Sequence, residues 1–504
     1  MKDWWNVLDS VIVLASIVLT VIELIPDIQS VKYLQVSAVL RLFRLFFTFR
    51  KTNEFRRIHR KLRKSNASQD FSVETAYERI LDLLGLFLLE PWVKSNPALV
   101  SEVEWCIEAI SSNTLYEAVL TIKRESQTLK QSDLVNLVKI YSSTPRPESR
   151  APGPPHRTNT LSPDKDQLID LKSDLSESVL ACLGQVDSCN FDVFALKEVT
   201  EDNELLTLMH SLFARADLYE LAEVHAGNFD RFVRVVQAGY HPENSYHNAT
   251  HAADVTQAIH YFLGTCGVEV YLGLSPLELA GSYIAAAIHD YDHPGVNNGY
   301  LVSTRAELAL RYNDRSVLES HHVASAFALS QQPDKDLFVS LEREDYRHVR
   351  ELIIEMVLNT DIAQHFSMLT KFRAKYIDSH SAKADDKLLV MSLLLHAADI
   401  SNPGRPWRLC EHWVNLVMQE FWAQGDKERS RGLPVTYMMD REATNVEKSQ
   451  VGFIDVIVSP VFLSFREILP KFEGCCQALQ TNKDLWAARI SEPDDSSRTK
   501  EVPA

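Results

Sequence analysis

The chain has 504 residues, of which 45% are hydrophobic and 24% charged, so it holds enough apolar side chain for about three domains and is not disordered throughout. With 16 Gly and 20 Pro, turn formers are sparse, and helices are favoured over short strands joined by tight turns. The net charge of -16 and pI near 5.5 argue against a phosphate-contacting nucleic-acid binder, and the 7 Cys show no CxxC spacing, so neither a disulfide framework nor a cysteine zinc site is expected.

Residues 4–25 (WWNVLDSVIVLASIVLTVIELI) form an apolar run of about the 20 residues a bilayer crossing needs. No small-residue cleavage site follows at Glu23-Leu24-Ile25-Pro26, so the run reads as a membrane span and not as a secretory signal. A second apolar segment, 31–49 (VKYLQVSAVLRLFRLFFTF), carries Arg41 and Arg44 and reaches Arg50. The expected unit is a two-helix transmembrane hairpin over 1–64, with membrane contact through 4–49. The basic stretch 50–64 should stay cytoplasmic, which puts the rest of the chain in the cytosol.

Residues 65–142 show amphipathic helical spacing but no chemical motif. Residues 143–170 open with STPRPESRAPGPPHRTNTLSPDK, too rich in Pro and too poor in apolar side chains to bury a core, and are expected to be a linker. From 171 to 490 the pattern is helical and globular, and 491–504 is a polar tail expected to be disordered.

Chemistry concentrates in the third of these regions. Only 17 His occur in the chain, yet His247, His251, His289 and His293 fall close together, with Asp290 beside His289. His247 and His251 are four apart, which on a helix puts them on one face. His289-Asp290 follows the apolar run SYIAAAI, and His396-Ala397-Ala398-Asp399 follows VMSLLL. Polar groups at the ends of buried helices need partners, and imidazoles with carboxylates are the expected ligands of a catalytic metal.

YHNATHAADV, HDYDHPG, YNDRSVLESHH, NTDIAQHF, HAADISNP and VEKSQVGFID, in this order, resemble the catalytic domain of class I cyclic nucleotide phosphodiesterases over about 175–485, nearest the calmodulin-stimulated and cAMP-specific groups. The resemblance implies an all-α, compact multi-helix domain. It also implies that His251, His289, Asp290 and Asp399 hold zinc, and that Asp290 bridges to a magnesium, with manganese an alternative there. His293, Glu319, His322, Thr360 and Asp361 would orient the waters around the ions, and His247 would be the catalytic acid. Tyr246, Asn402, Val417, Gln450 and Phe453 would bind the nucleotide, with Phe453 and Val417 clamping the purine and Gln450 reading its edge. An amide can turn over to satisfy adenine or guanine, and Asn402 resembles the cAMP-preferring groups, so cAMP is the favoured substrate.

Arg41, Arg44 and Arg50 at multiples of three, with Asn6 and Asp9 on the preceding span, resemble the last two helices of a voltage-sensor domain. The other expectation for the whole chain is a membrane signalling or channel-derived protein whose phosphodiesterase-like domain only binds nucleotide. Every ligand position is filled, which favours hydrolysis. Oligomeric state is not legible.

Overall fold

In the computed structural model the described residues are 76–111, 175–378 and 386–491. Every regular element among them is helical, as expected, and no strand occurs there. The expected hairpin over 1–64, with Arg41, Arg44 and Arg50, lies outside the described residues, as do the linker 143–170 and the tail beyond Ser491. Among the described residues no helix is long and apolar enough to cross a membrane. The chain divides into two compact units, Met1–Leu115 and Tyr116–Ala504.

In the first unit, helices α1 (Ala76–Leu88) and α2 (Pro97–Ser111) pack together, with a single turn, Pro91–Lys94, between them. Pro97 at the first helical position fits the start of α2, and Asn96 Oδ1 accepts the Leu99 N–H at 3.3 Å. Val93 is buried, and Phe87 meets Trp92 edge to face at 5.3 Å. These contacts describe a small helical body and no chemistry.

The second unit includes α3 (Glu204–Arg215), α4 (Ala249–Leu263), α5 (Pro276–Ile288), α6 (Val317–Ser330), α7 (Arg343–Leu358), α8 (Lys387–Asp399), α9 (Trp407–Ser430), α10 (Val446–Phe453) and α11 (Glu473–Ser491), with further helices, among them Ala226–Gly239 and Ser459–Ile468, and short turns between. Helix α4 packs on α3, α5 and α8, and α7 packs on α5, α6 and α8. The sequence of α5, LELAGSYIAAAI after its Pro, is apolar nearly all round, and everything from Glu278 to Ile288 is buried. Its start is set locally: Ser275 Oγ accepts the Glu278 N–H at 3.2 Å and Glu278 Oε2 accepts the Ser275 N–H at 2.7 Å, a reciprocal cap with Pro276 in the first turn. Gly281 lets α7 approach, since a Cβ there would lie 2.9 Å from Val349 Cγ2. Leu393, Leu394 and Leu395 of α8 are fully buried, and truncating one to Ala would cost about 2–5 kcal/mol. This apolar block brings the C-terminal ends of α5 and α8 beside the first turn of α4.

Candidate active site

Those three helix ends carry His251 in the first turn of α4, His289 and Asp290 at the end of α5, and Asp399 as the last residue of α8. His251 Nε2 lies 3.1 Å from Asp399 Oδ1 and 3.5 Å from Asp290 Oδ2, and His289 Nε2 lies 3.4 and 3.3 Å from the same two atoms. The two Nε2 atoms are 3.3 Å apart, and all four ligand atoms fall within 4.8 Å of one another. His289 Nδ1 sits 2.8 Å from the Ala286 carbonyl, so the proton belongs on Nδ1 and the Nε2 lone pair faces the carboxylates.

This donor set fits a divalent cation. Burial alone would disfavour charge on His289, yet Asp290 and Asp399 hold its imidazole pKa well above the ordinary value, so the cluster draws a proton there, or a cation in its place. Burial would likewise raise the Asp399 carboxyl, but the His251 and His289 rings facing it hold it well below the usual carboxylate range.

A second set, Asp290, His293 and His322, also lies within 4.8 Å. His322 donates from Nδ1 to the Tyr291 carbonyl at 2.6 Å, which turns its Nε2 lone pair toward Asp290 Oδ1 at 3.6 Å, and burial lowers its pKa to about 4. Glu319 accepts from Asn298 Nδ2 at 3.0 and 3.2 Å, and burial followed by the charge of Asp361 pushes its carboxyl up to about 8. Asp361 accepts the Ser316 hydroxyl at 2.7 Å, while the Thr360 hydroxyl donates to the Val357 carbonyl at 2.8 Å.

One sequence expectation needs correcting. His247 and His251 do not share a helix face, because Asn248 is the N-cap of α4: its Oδ1 accepts the N–H groups of Thr250 at 3.0 Å and His251 at 3.3 Å. His247 therefore lies on the preceding loop, and its Nε2 is 4.0 Å from Asp290 Oδ2, at the edge of the cluster. Glu420 of α9 sets its state. Glu420 Oε1 bonds His247 Nδ1, while Oε2 accepts the backbone N–H groups of Tyr246 at 2.9 Å and His247 at 3.0 Å. Burial would lower the His247 pKa, but Glu420, then Asp290 and Asp399, raise it to about 9. Burial would raise the Glu420 carboxyl, and His247 holds it down to about 2.

These groups open on a cavity of about 450 Å³ whose wall includes Tyr246, His247, Asp290, His293, Glu319, Thr360, Asp361, Asp399, Asn402, Val417, Gln450 and Phe453. His251, His289 and His322 are fully buried. Gln450 and Phe453, three apart on α10, share the wall as their spacing predicts. The Asn402 amide is held in one orientation: Oδ1 accepts the Tyr246 hydroxyl, Nδ2 donates to Asp254 Oδ2 at 3.0 Å, and Asp254 Oδ1 pairs with Arg405 at 2.7 Å. Gln450 has no such anchor among the described residues.

Sequence reasoning missed Glu420, Asp254 and Arg405. Glu420 had a faint signal, an acid inside the largely apolar stretch WVNLVMQEFW, where a buried charge requires a partner.

The family described as 3'5'-cyclic nucleotide phosphodiesterase matches residues 246–479. The dual specificity calcium/calmodulin-dependent 3',5'-cyclic nucleotide phosphodiesterase 1B of Homo sapiens is 41% identical over 297 residues, 59% of this chain and 54% of that protein. The Bos taurus protein of the same name is 40% identical over 297 residues, 59% of this chain and 55% of that protein. The Drosophila melanogaster 3',5'-cyclic-AMP phosphodiesterase, isoform F, is 34% identical over 359 residues, 69% of this chain and 54% of that protein. The chain thus spans about half the length of these relatives.

Proposed function

From the premise that residues 246–479 of the chain belong to the 3'5'-cyclic nucleotide phosphodiesterase family, we propose that the protein hydrolyses a 3',5'-cyclic nucleotide to its 5'-monophosphate, with cAMP favoured over cGMP. The observation that carries this reading is the convergence of His251, His289, Asp290 and Asp399, with Asp290, Asp399 and a His247 bonded by Glu420 on the wall of one cavity.

His251, His289, Asp290 and Asp399 would hold zinc, which imidazole ligands suit, and Asp290 with the oxygen-rich side of the cavity would hold magnesium or manganese. Bound divalent ions lower the pKa of water and offset phosphoryl charge. The chain's own residues do the rest. Attack of water oxygen on phosphorus forms a new P–O bond and breaks the P–O3' bond; His247 delivers its Nε2 proton to the departing O3' while Glu420 keeps Nδ1–H in place, and the proton given up by the attacking water passes to solvent, from which His247 is reprotonated. His293, Glu319, His322, Thr360 and Asp361 orient water around Asp290. Phe453 and Val417 hold the purine, and Gln450, whose amide is free to turn, reads its edge.

The cAMP preference is supported by Asn402 in HAADISNP and by the name of the Drosophila relative. A membrane setting with the catalytic part in the cytosol is supported by the apolar runs within 4–49 and the basic stretch that follows. The deciding experiment is turnover of cAMP and cGMP by the purified full chain, with and without zinc and magnesium. Failure to hydrolyse either nucleotide when both ions are present refutes the proposal.

A further inference from the structure

Helix α9 places three buried polar residues at successive four-residue steps, Glu420, Gln424 and Glu428, and such steps keep to one helix face. Each holds a different loop of the cavity. Glu420 holds the Tyr246–His247 loop. Gln424 clasps Asn297 with both ends of its amide, Oε1 accepting the Asn297 N–H at 2.8 Å and Nε2 donating to Asn297 Oδ1 at 3.0 Å. Glu428 clasps Thr436 in the same way, Oε2 accepting its N–H at 2.7 Å and Oε1 its hydroxyl at 2.7 Å. Gln424 Nε2 also donates to Glu428 Oε1 at 2.8 Å, which joins the two clasps.

The loops so held are parts of the cavity wall: Val296 to Gly299 on one segment and Thr436 to Met439 on the other. The second is non-helical, with Met438 in the left-handed region at φ 69°. Its seat on α9 has an independent mark. A Cβ on Gly425 would lie 1.9 Å from the Met439 carbonyl oxygen, so the loop rests where the helix has no side chain. A wall fixed before substrate arrives need not be ordered by binding, which strengthens affinity without touching the reacting atoms.

We infer that Glu428 is a positioning residue for nucleotide binding, fixing the Thr436–Met439 wall to α9 and, through Gln424, coupling it to the Asn297 loop, so that KM depends on it while kcat does not. The inference deepens the hydrolase reading and rests on it.

The test uses the full chain, comparing wild type with Glu428→Ala, Glu428→Gln, Thr436→Val and Gly425→Ala. Glu428→Ala is expected to raise KM about tenfold with kcat within about twofold. Glu428→Gln should recover part of the loss, since its carbonyl oxygen still accepts the Thr436 N–H and its NH2 can donate to the Thr436 hydroxyl, while the bond from Gln424 Nε2 to that position is lost. Thr436→Val removes one bond only and should fold normally, raising KM about threefold; Gly425→Ala should raise KM by displacing the loop. Amide hydrogen exchange over 433–445 and 296–299 should quicken in Glu428→Ala while α4 and α8 stay protected. A wild-type KM in Glu428→Ala, a loss confined to kcat, or a Gln variant as impaired as Ala overturns the inference. Should wild type hydrolyse neither nucleotide, the hydrolase reading fails and exchange decides the wall: selective loosening supports it and unchanged exchange overturns it.

Discussion

The imidazoles of His247 and His293 stack with centroids 4.0 Å apart and planes 23° from parallel, yet their charge states are opposed. Burial would lower both pKa values, but Glu420 lifts His247 to about 9, and the resulting charge on His247 helps hold His293 well below its ordinary value. A ring that Glu420 holds toward its charged form thus stacks on one that burial and His247 hold toward its neutral form.

Glu420→Gln should therefore lower the His247 pKa. In the proposed mechanism His247 works in its protonated form, so activity is kept below its pKa and lost as pH rises through it; the alkaline limb of the pH–rate profile should move to lower pH. The maximal rate should fall by about 10²-fold, the lower end of what a positioned acid contributes. An alkaline limb unmoved in Glu420→Gln would exclude this assignment.

Removing a ligand should do more. Partners that only orient ligands cost about 10–100-fold when mutated, so Asp399→Ala should reduce turnover by more than about 100-fold. Added zinc should raise the wild-type melting temperature, because four donors facing one centre, the two imidazoles fully buried, are relieved by a cation, and the rise should shrink in Asp399→Ala. Differential scanning fluorimetry with and without chelator reads this directly; an equal rise in both proteins would remove Asp399 from the ligand set.

The helical class and the meeting of the His-Asp pieces were legible because apolar runs such as SYIAAAI and VMSLLL mark buried helices, whose ends are where a polar pair needs a partner. Spacing misled at His247, since HxxxH assumes that both residues are helical while Asn248 between them is a cap. Glu420, Gln424 and Glu428 act on loops 120 or more residues away or on a turn beyond their own helix end, and no local pattern encodes those meetings. The hairpin carrying Arg41, Arg44 and Arg50 lies outside the described residues, so its reading rests on composition alone.

Base selection should be shallow. In the proposed reading the fixed amide of Asn402 favours cAMP, but the unanchored Gln450 amide can present either donor or acceptor first. We expect kcat/KM for cAMP to exceed that for cGMP by less than about tenfold, a difference of about 1.4 kcal/mol. Phe453→Ala should raise KM for both by about tenfold, as loss of base stacking would. Steady-state kinetics with the two nucleotides checks this, and a cGMP preference above tenfold would overturn the reading of Asn402.

A last prediction concerns stability far from the chemistry. Asp230 is buried and accepts from His210 Nε2 at 3.0 Å and from Arg234 Nε at 2.7 Å, with the His210 ring held from its other side by the Tyr219 hydroxyl at 2.7 Å. Burial would raise the Asp230 carboxyl, but His210 and Arg234 bring it below the usual 3.8. Because the folded pKa is depressed, the stabilisation is complete above the unfolded value and is lost as pH falls through the folded one. Asp230→Asn should cost about 2 kcal/mol near pH 6, the range for a hydrogen-bonded charged group. Urea midpoints of wild type and variant should begin to converge as the pH is lowered below about 3.8, where the unfolded carboxyl takes up its proton, and go on converging until the folded carboxyl is neutral too. A gap between them that stays constant from about pH 6 to pH 3 would mean that packing and not charge accounts for the loss.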